Sequence, residues 1–449
     1  MKMRELLQSV ALRAARYLED VQKRPVAPNP DAVRALSRLA EPLPDGPMAP
    51  LDVIRLLDEA GSPATMGIAG PRFFGFVIGG SLPAALAANW LASAWDQNAG
   101  LFAATPISAT LEEVSLGWLL DALGLPSTCG GAFVTGATVA NFTALAAARH
   151  AVLARAGWDV EARGLFAAPE VTVVVGDEAH PSVIKALGML GMGRERVLRV
   201  PIDAQGRMRA DRFPALSGPA IVCLQAGNVN TGAFDPIPEL CRRAHAAGAW
   251  VHVDGAFGLW AAASPKFAHL VAGCGDADSW ATDAHKWLNV PYDSGLAFVR
   301  DPAHLSGAMS LTAAYLPQGE RREPLMFVPE LSRRARGIDT WAALKSLGRS
   351  GLAQLVERCC DCAARFAAGL RAAGFEILND VVLNQVLVSF GSPEETLRVI
   401  AAVQEDGTCW CGSTVWQGRT AMRISVSSWA TTLADVDRSL EAIIRVAKQ

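Results

Sequence analysis

Between residues 130 and 300 seven short apolar runs alternate with helical segments, and this alternation narrows the possible folds more than any other feature. The runs read GAFVTG, VTVVVGD, RVLRVPID, AIVCLQA, WVHVDGAF, SWATDAH and GLAFVR. Most are nearly continuous in hydrophobicity, the pattern of strands buried on both faces. Alanine-rich stretches such as ANFTALAAARHAVLARAG and IPELCRRAHAAGA lie between several of them. Strands of this kind joined by helices predict an α/β fold with a mostly parallel seven-stranded sheet between helices. Ligands on such sheets bind beyond the carboxyl ends of the strands, so polar residues that follow the runs are the first candidates for function.

The flanks have a different character. Residues 1–65 read as helices separated by RPVAPNP and EPLPDGP, with Leu6, Val10, Ala14 and Tyr17 on one helical face. A short arm cannot bury such a stripe alone, so it is expected to pack on the main body or on another subunit. After residue 340 come a long helical stretch, short strands in NQVLVSF and AMRISVS, and a closing helix in TLADVDRSLEAIIRVAK. The expected division is an N-terminal helical arm over 1–65, a large α/β domain over 66–340 and a small C-terminal α+β domain over 341–449.

Bulk properties exclude several functions. A chain of 449 residues with 51% hydrophobic residues and a formal net charge of −3 is globular, with no excess of basic charge for nucleic acid or anionic membranes. The N-terminus carries an early acid and lacks the apolar core of a signal peptide. The segment GFVIGGSLPAALAANWLASAW is broken by glycine and proline and reads as a buried helix, not a membrane span. Nine cysteines, an odd number without an export signal, suggest reduced thiols in the cytoplasm. Cys359, Cys360 and Cys362, and Cys409 and Cys411, lack the spacing of zinc ligands and read as buried small hydrophobes, so no metal is expected.

The strand ends carry the chemistry. After GAFVTG the turn Thr135, Gly136, Ala137, Thr138 opens a helix, which suits either an ordinary cap or an anion held by backbone N–H groups. His180 follows VTVVVGD, and it is either a structural histidine or a flat ring beside a ligand. Asp254 ends WVHV, where a buried carboxylate needs a cation or several donors. SWATDA leads to His285 and Lys286, in a chain with only seven lysines. A buried lysine is costly unless paired, neutral or covalently engaged. An anion cradle, a flat aromatic group, a buried acid and a buried lysine together meet the needs of pyridoxal 5′-phosphate: an amine for its carbonyl carbon and an acid against its ring nitrogen.

HVDGAFG followed by DSWATDAHKW resembles the group II pyridoxal-phosphate-dependent decarboxylases, the family of aromatic-L-amino-acid and glutamate decarboxylases. The resemblance extends over nearly the whole chain, through GPRFFGFVIGG, TPISATLEEVSLGWLLDALGLP, GAFVTGATVANFTALAAAR, GDEAHPSV, AGNVNTGAFDPI, SRRARGIDTWAALKSLG and MRISV. It implies the fold of the PLP-dependent transferases (aspartate aminotransferase, fold type I) and a cytoplasmic homodimer with active sites at the subunit interface and interleaved N-terminal arms. It further implies that Lys286 binds the cofactor covalently, Asp254 pairs with the ring nitrogen, and His180 and Ala256 take the two ring faces. Ala137, Thr138, Asp283 and His285 would surround the phosphate. Phe74, Phe76, Leu101 and Phe102 would line the space for the substrate side chain, and Arg423 would meet the substrate carboxylate. From the residues alone, a surface ion pair serves Arg423 equally well.

Three positions depart from the family pattern. Val139 stands where glutamate is usual, and Asp283 stands where asparagine is common, adding negative charge beside the expected phosphate. The loop GERREPLMFVPELSRRARG has no tyrosine; the aligned position falls near Pro324, with Phe327 the nearest aromatic and Tyr315 further back. The implied activity is decarboxylation of an L-amino acid to its amine and CO2, with an aromatic amino acid among the candidate substrates. The alternatives are an aldehyde synthase working by oxidative decarboxylation-deamination, Cα–Cβ cleavage, transamination, or a non-catalytic cofactor-binding subunit with an assembly or regulatory role.

Overall fold

Every one of the seven apolar runs contributes a strand: β1 (Gly130–Val134), β2 (Thr172–Gly176), β3 (Leu198–Val200), β4 (Ala220–Gln225), β5 (Trp250–Asp254), β6 (Ser279–Asp283) and β7 (Gly295–Val299). In the computed structural model, which describes residues 2–311 and 321–449, these strands form one sheet in the order β1-β7-β6-β5-β4-β2-β3. Only β7 runs against the others, pairing antiparallel with both β1 and β6. The carboxyl ends of β1, β2, β5 and β6 therefore share one edge. The amino end of β7 joins them there, with Gly295 opposite both Val134 and Asp283.

The sheet belongs to a compact unit comprising Ser81–Asp361 and Asn379–Gln385. The helix Ala137–Arg155 lies in its core, where Ala140, Ala144, Ala147, Ala148 and Ala151 are buried with Val134, Val173, Val175, Ile221 and Ala281. Alanine brings the helix axis close to the sheet, and each buried valine or isoleucine contributes roughly 1.5–3 kcal/mol. The segment expected to be a buried helix is helical over Pro83–Trp95, but only Ala85 and Ala92 are buried while Trp90, Leu91 and Trp95 are exposed. Apart from Asn89 and Ser93 its residues are apolar, yet the chain fully buries only the face of Ala85 and Ala92. Ile107 and Trp118 on the helix Pro106–Ala122 are exposed as well. No described helix is long and apolar enough to cross a membrane.

Glu112, on that same helix, is buried between two guanidinium groups. Its Oε1 accepts from Arg322 at 3.1 Å, and its Oε2 accepts from Arg333. Arg322 and Arg333 also donate to the carbonyls of Gly131 (2.8 Å) and Phe133 (3.0 Å), so the carboxylate clamps residues 322–333 to β1. Glu112→Gln is expected to destabilise the protein by about 2 kcal/mol, the scale of a hydrogen bond to a charged group. A lower urea midpoint with an unchanged slope would register this loss.

The other unit comprises Met1–Gly80, Cys362–Leu378 and Val386–Gln449. Its sheet takes the order β10-β11-β9-β8, from β8 (Glu376–Ile377), β9 (Gln385–Ser389), β10 (Gly412–Trp416) and β11 (Arg419–Ser425). The helix Leu433–Ala447 begins with a reciprocal cap between Thr432 and Asp435. The first helix, Met3–Asp20, buries no side chain fully and is tied to its own unit by Arg13–Asp58 (2.6 Å) and Tyr17–Thr65 (2.9 Å). All nine cysteines are free thiols, and Cys359, Cys360, Cys362, Cys409 and Cys411 are buried.

Candidate active site

Lys286 stands three residues beyond the end of β6, and its Nζ lies 3.1 Å from Asp283 Oδ2. Asp283 is only 2% exposed, so each charge offsets much of the other's desolvation. The Asp283 carboxylate, expected beside the phosphate, thus turns one oxygen onto the lysine. Its Oδ1 is buried without a hydrogen-bond partner and lies 3.7 Å from His285 Nε2. His285 Nδ1 accepts from the Ser294 N–H at 3.2 Å, and its ring stacks on Tyr292 with centroids 4.3 Å apart. Burial lowers the His285 pKa, opposed chiefly by the nearby Asp283 charge.

Two glycines let β1, β6 and β7 converge at this point. A Cβ on Gly295 would lie 2.4–2.7 Å from the backbone of Gly136. A Cβ on Gly136 would sit 3.2 Å from His285 Cε1 and 3.6 Å from Asp283 Oδ1. The helix Ala137–Arg155 starts here with no side-chain cap, which leaves backbone N–H groups and a positive dipole end beside His285. Ala137 is buried and Thr138 half-buried; Val139 packs against the core.

Asp254, at the end of β5, is buried and accepts from the Ala256 N–H (3.2 Å) and from Asn141 Nδ2 (3.2 Å). The Ala256 carbonyl accepts from the Asp283 N–H at 3.0 Å, joining the ends of β5 and β6. His180 caps the helix Pro181–Met189, its Nδ1 accepting from the Ser182 N–H at 3.2 Å. A cleft lined in part by Cys223, Gln225, His180 and Asp254 opens at this edge. Asn141 was missed in the sequence, as was His252, which shares a strand face with Asp254. The two-residue spacing in HVD was the available signal.

Leu101 and Phe102 are half-buried in the sheet-bearing unit. The Phe102 N–H donates to Glu323 Oε2 at 2.6 Å, and the Arg321 guanidinium lies 3.2 Å above the Phe102 ring. Phe74, Phe76 and Arg423 belong to the other unit. There Phe74 is buried edge-on against Phe366, whereas Phe76 is exposed and stacks on Trp410. Arg423 is half-buried on β11, and burial lowers its pKa. Pro324 and Phe327 bound a 3-10 turn, with the Arg322 guanidinium 4.7 Å from the Phe327 ring; Tyr315 lies outside the described residues.

The donor set on this edge fits pyridoxal 5′-phosphate. It offers an amine held by an acid, a second acid on two donors, an imidazole, and an uncapped helix start whose glycine leaves room for an anion. The profile of the pyridoxal-dependent decarboxylase conserved domain matches residues 62–391. The aromatic-L-amino-acid decarboxylase of Bacillus atrophaeus is 28% identical over 355 residues, covering 76% of this chain and 72% of that protein. The phenylacetaldehyde synthase of Petunia hybrida is 27% identical over 378 residues, covering 78% of this chain and 72% of that protein. The crystal structure of Oryza sativa TDC with PLP and tryptamine has the same fold, with a TM-score of 0.91 over 99% of this chain and 97% of that one at 24% identity. The chain belongs to the pyridoxal-dependent decarboxylase family and is a pyridoxal 5′-phosphate-dependent amino-acid carboxy-lyase.

Proposed function

We propose that the substrate is an L-amino acid with an aromatic or apolar side chain, decarboxylated to its amine by a cytoplasmic homodimer. The observation that carries the catalytic reading is the convergence of Lys286, Asp283, Asp254 and His180 on one sheet edge. In this reading Lys286 holds the cofactor through Nζ, Asp254 faces its ring nitrogen, and His180 and Ala256 take its two faces. Ala137, Thr138, Asp283 and His285 surround the phosphate. Bound pyridoxal phosphate supplies the electron sink for the pair left when the carboxylate departs as CO2. Asp254, fixed by Ala256 and Asn141, holds a proton on the nitrogen it faces. Lys286 Nζ, with Asp283 Oδ2 as its counter-ion, returns a proton to the substrate α-carbon.

The half-buried Leu101 and Phe102 support an apolar substrate, as does the aromatic substrate in the name of the Bacillus relative. Trp90, Leu91 and Trp95, all exposed on the one helix Pro83–Trp95, support a dimer, because large apolar side chains left uncovered together mark an interaction site.

An aldehyde-forming reaction is the second reading. It is favoured by the described part of the loop, where Phe327 is the aromatic residue, and by the Petunia relative. A panel of L-amino acids decides between the two. The expected result is CO2 and amine in equal amounts, with an aromatic or apolar substrate preferred. Aldehyde, ammonia and peroxide accompanying the CO2 would establish the second reading, and no CO2 from any amino acid would sink both.

A further inference from the structure

We propose that Asn141 is a positioning residue whose single amide orients the Asp254 carboxylate and, through the Ser182 hydroxyl, reinforces the His180 tautomer that the Ser182 backbone N–H also favours, with Trp250, Ser279 and His252 fixing the direction of the hydrogen bonds that reach it. The proposal rests on the reading of Asp254 and His180 as the groups that face the cofactor.

The directions follow from donor chemistry. An indole N–H can only donate, so Trp250 Nε1 donates to Ser279 Oγ at 2.8 Å. The Ser279 hydroxyl is then free to donate to His252 Nδ1 at 2.9 Å. His252 Nε2 carries the proton and donates to Asn141 Oδ1 at 2.9 Å. The Asn141 amide nitrogen has two hydrogens and two acceptors, Asp254 Oδ2 at 3.2 Å and Ser182 Oγ at 3.1 Å. Ser182 Oγ, already accepting, gives its own proton to His180 Nδ1 at 2.7 Å.

The opposite end demands the same order. The Ser182 backbone N–H also donates to His180 Nδ1, at 3.2 Å, so that nitrogen is an acceptor whichever way the chain is followed. A carboxylate oxygen is likewise an acceptor, so the amide nitrogen of Asn141 faces Asp254 and its oxygen faces His252. Reversing one link would set donor against donor or acceptor against acceptor.

Trp250, Ser279, His252 and Asn141 are all buried, so water cannot repair a broken link, and in this low-dielectric setting each bond polarises the next. Burial also holds His252 neutral, its pKa pushed down to about 4, which leaves its ring one proton and one lone pair. The partners come from β5, β6 and two helices, so the array ties the acid and the imidazole to the same rigid frame.

Cofactor-free protein labelled with 15N-histidine provides the first test. Long-range 15N–1H spectra are expected to show His252 as a neutral ring protonated on Nε2, and the neutral form of His180 protonated on Nε2 as well, with signals assigned through single-histidine variants among the seven histidines. A proton on Nδ1 of either neutral ring would overturn the proposal. Ser182→Ala removes the hydroxyl donor but keeps the backbone N–H on His180 Nδ1. It is therefore expected to shift the His180 Nδ1 signal while the proton stays on Nε2 and His252 stays unchanged, and Ser182→Thr is expected to restore the wild-type signal. An unaltered His180 in Ser182→Ala would count against the proposal.

Asn141→Leu is expected to weaken pyridoxal phosphate binding roughly 10- to 100-fold, the range for losing a hydrogen bond to a charged group. Wild-type affinity in folded Asn141→Leu protein would also overturn the proposal. If that variant does not fold, the wild-type spectra and the two Ser182 variants still decide the question. Wild-type protein that binds no cofactor would defeat the reading of the site, while the tautomers in cofactor-free protein would still test the hydrogen-bond array.

Discussion

Lys286→Ala is expected to lower CO2 release at least roughly 10³-fold, since a positioned proton-transfer group alone contributes 10²–10⁴-fold. The variant also removes the Nζ that faces Asp283 Oδ2 at 3.1 Å. With Oδ1 already lacking a donor, a carboxylate only 2% exposed would be left uncompensated. Lys286→Ala is therefore expected to melt at a lower temperature as well, with a loss of about 1–3 kcal/mol.

Lys286→Arg separates the two effects. A guanidinium keeps a positive charge against Asp283 but does not release its proton at working pH. Stability should stay near wild type while turnover falls as far as in the alanine variant. Reduction with borohydride in the presence of pyridoxal phosphate should attach a phosphopyridoxyl group, after loss of water, to the peptide containing Lys286 in wild type only. An alanine variant retaining a tenth of the wild-type rate would remove Lys286 from the mechanism.

The sequence revealed what depends on local pattern. Strands buried on both faces are nearly continuous in hydrophobicity, so most of the runs stood out, although β3 at the sheet edge leaves Leu198 and Arg199 exposed, and the polar residues that end the runs pointed to Asp254, His180 and Lys286. Relations between distant residues were hidden. Asn141 reaches His252 and Asp254 across 111 and 113 residues, and nothing in ANFTALAAAR distinguishes this asparagine from one capping a turn. Asp283 looked like an awkward charge because its neighbour three residues on was read only as a cofactor anchor; the bridge to Lys286 depends on how the chain turns after β6. Exposure of the helix Pro83–Trp95 was also hidden, because its composition shows how apolar it is but not what covers it. Phe74 and Phe76 illustrate the same limit. In PRFFGF they are equivalent letters, yet one is buried against Phe366 and the other exposed on Trp410.

Asp254→Asn is expected to lower kcat/KM by roughly 10²–10³-fold, the range for removing one preorganised electrostatic contact. The substitution keeps shape and volume, so the loss reports charge and hydrogen bonding rather than packing. In wild type two donors converge on the carboxylate, the Ala256 N–H on Oδ1 and Asn141 Nδ2 on Oδ2. An asparagine has one acceptor oxygen for two donors, so its own NH2 must face either Ala256 or Asn141. Whichever way it turns, a buried donor is orphaned at a cost of about 1–3 kcal/mol. If it turns its NH2 toward Asn141, that amide loses its acceptor and the effect passes to His252, whose Nε2 proton depends on Asn141 Oδ1. Asp254→Asn should therefore weaken cofactor binding, lower the melting temperature and disturb the His252 15N signals together. If turnover falls while the histidine signals stay fixed, the asparagine has turned its NH2 toward Ala256 and the loss is one of charge and of the Ala256 hydrogen bond. A kcat/KM within threefold of wild type would show that no charge at this position is needed for the reaction.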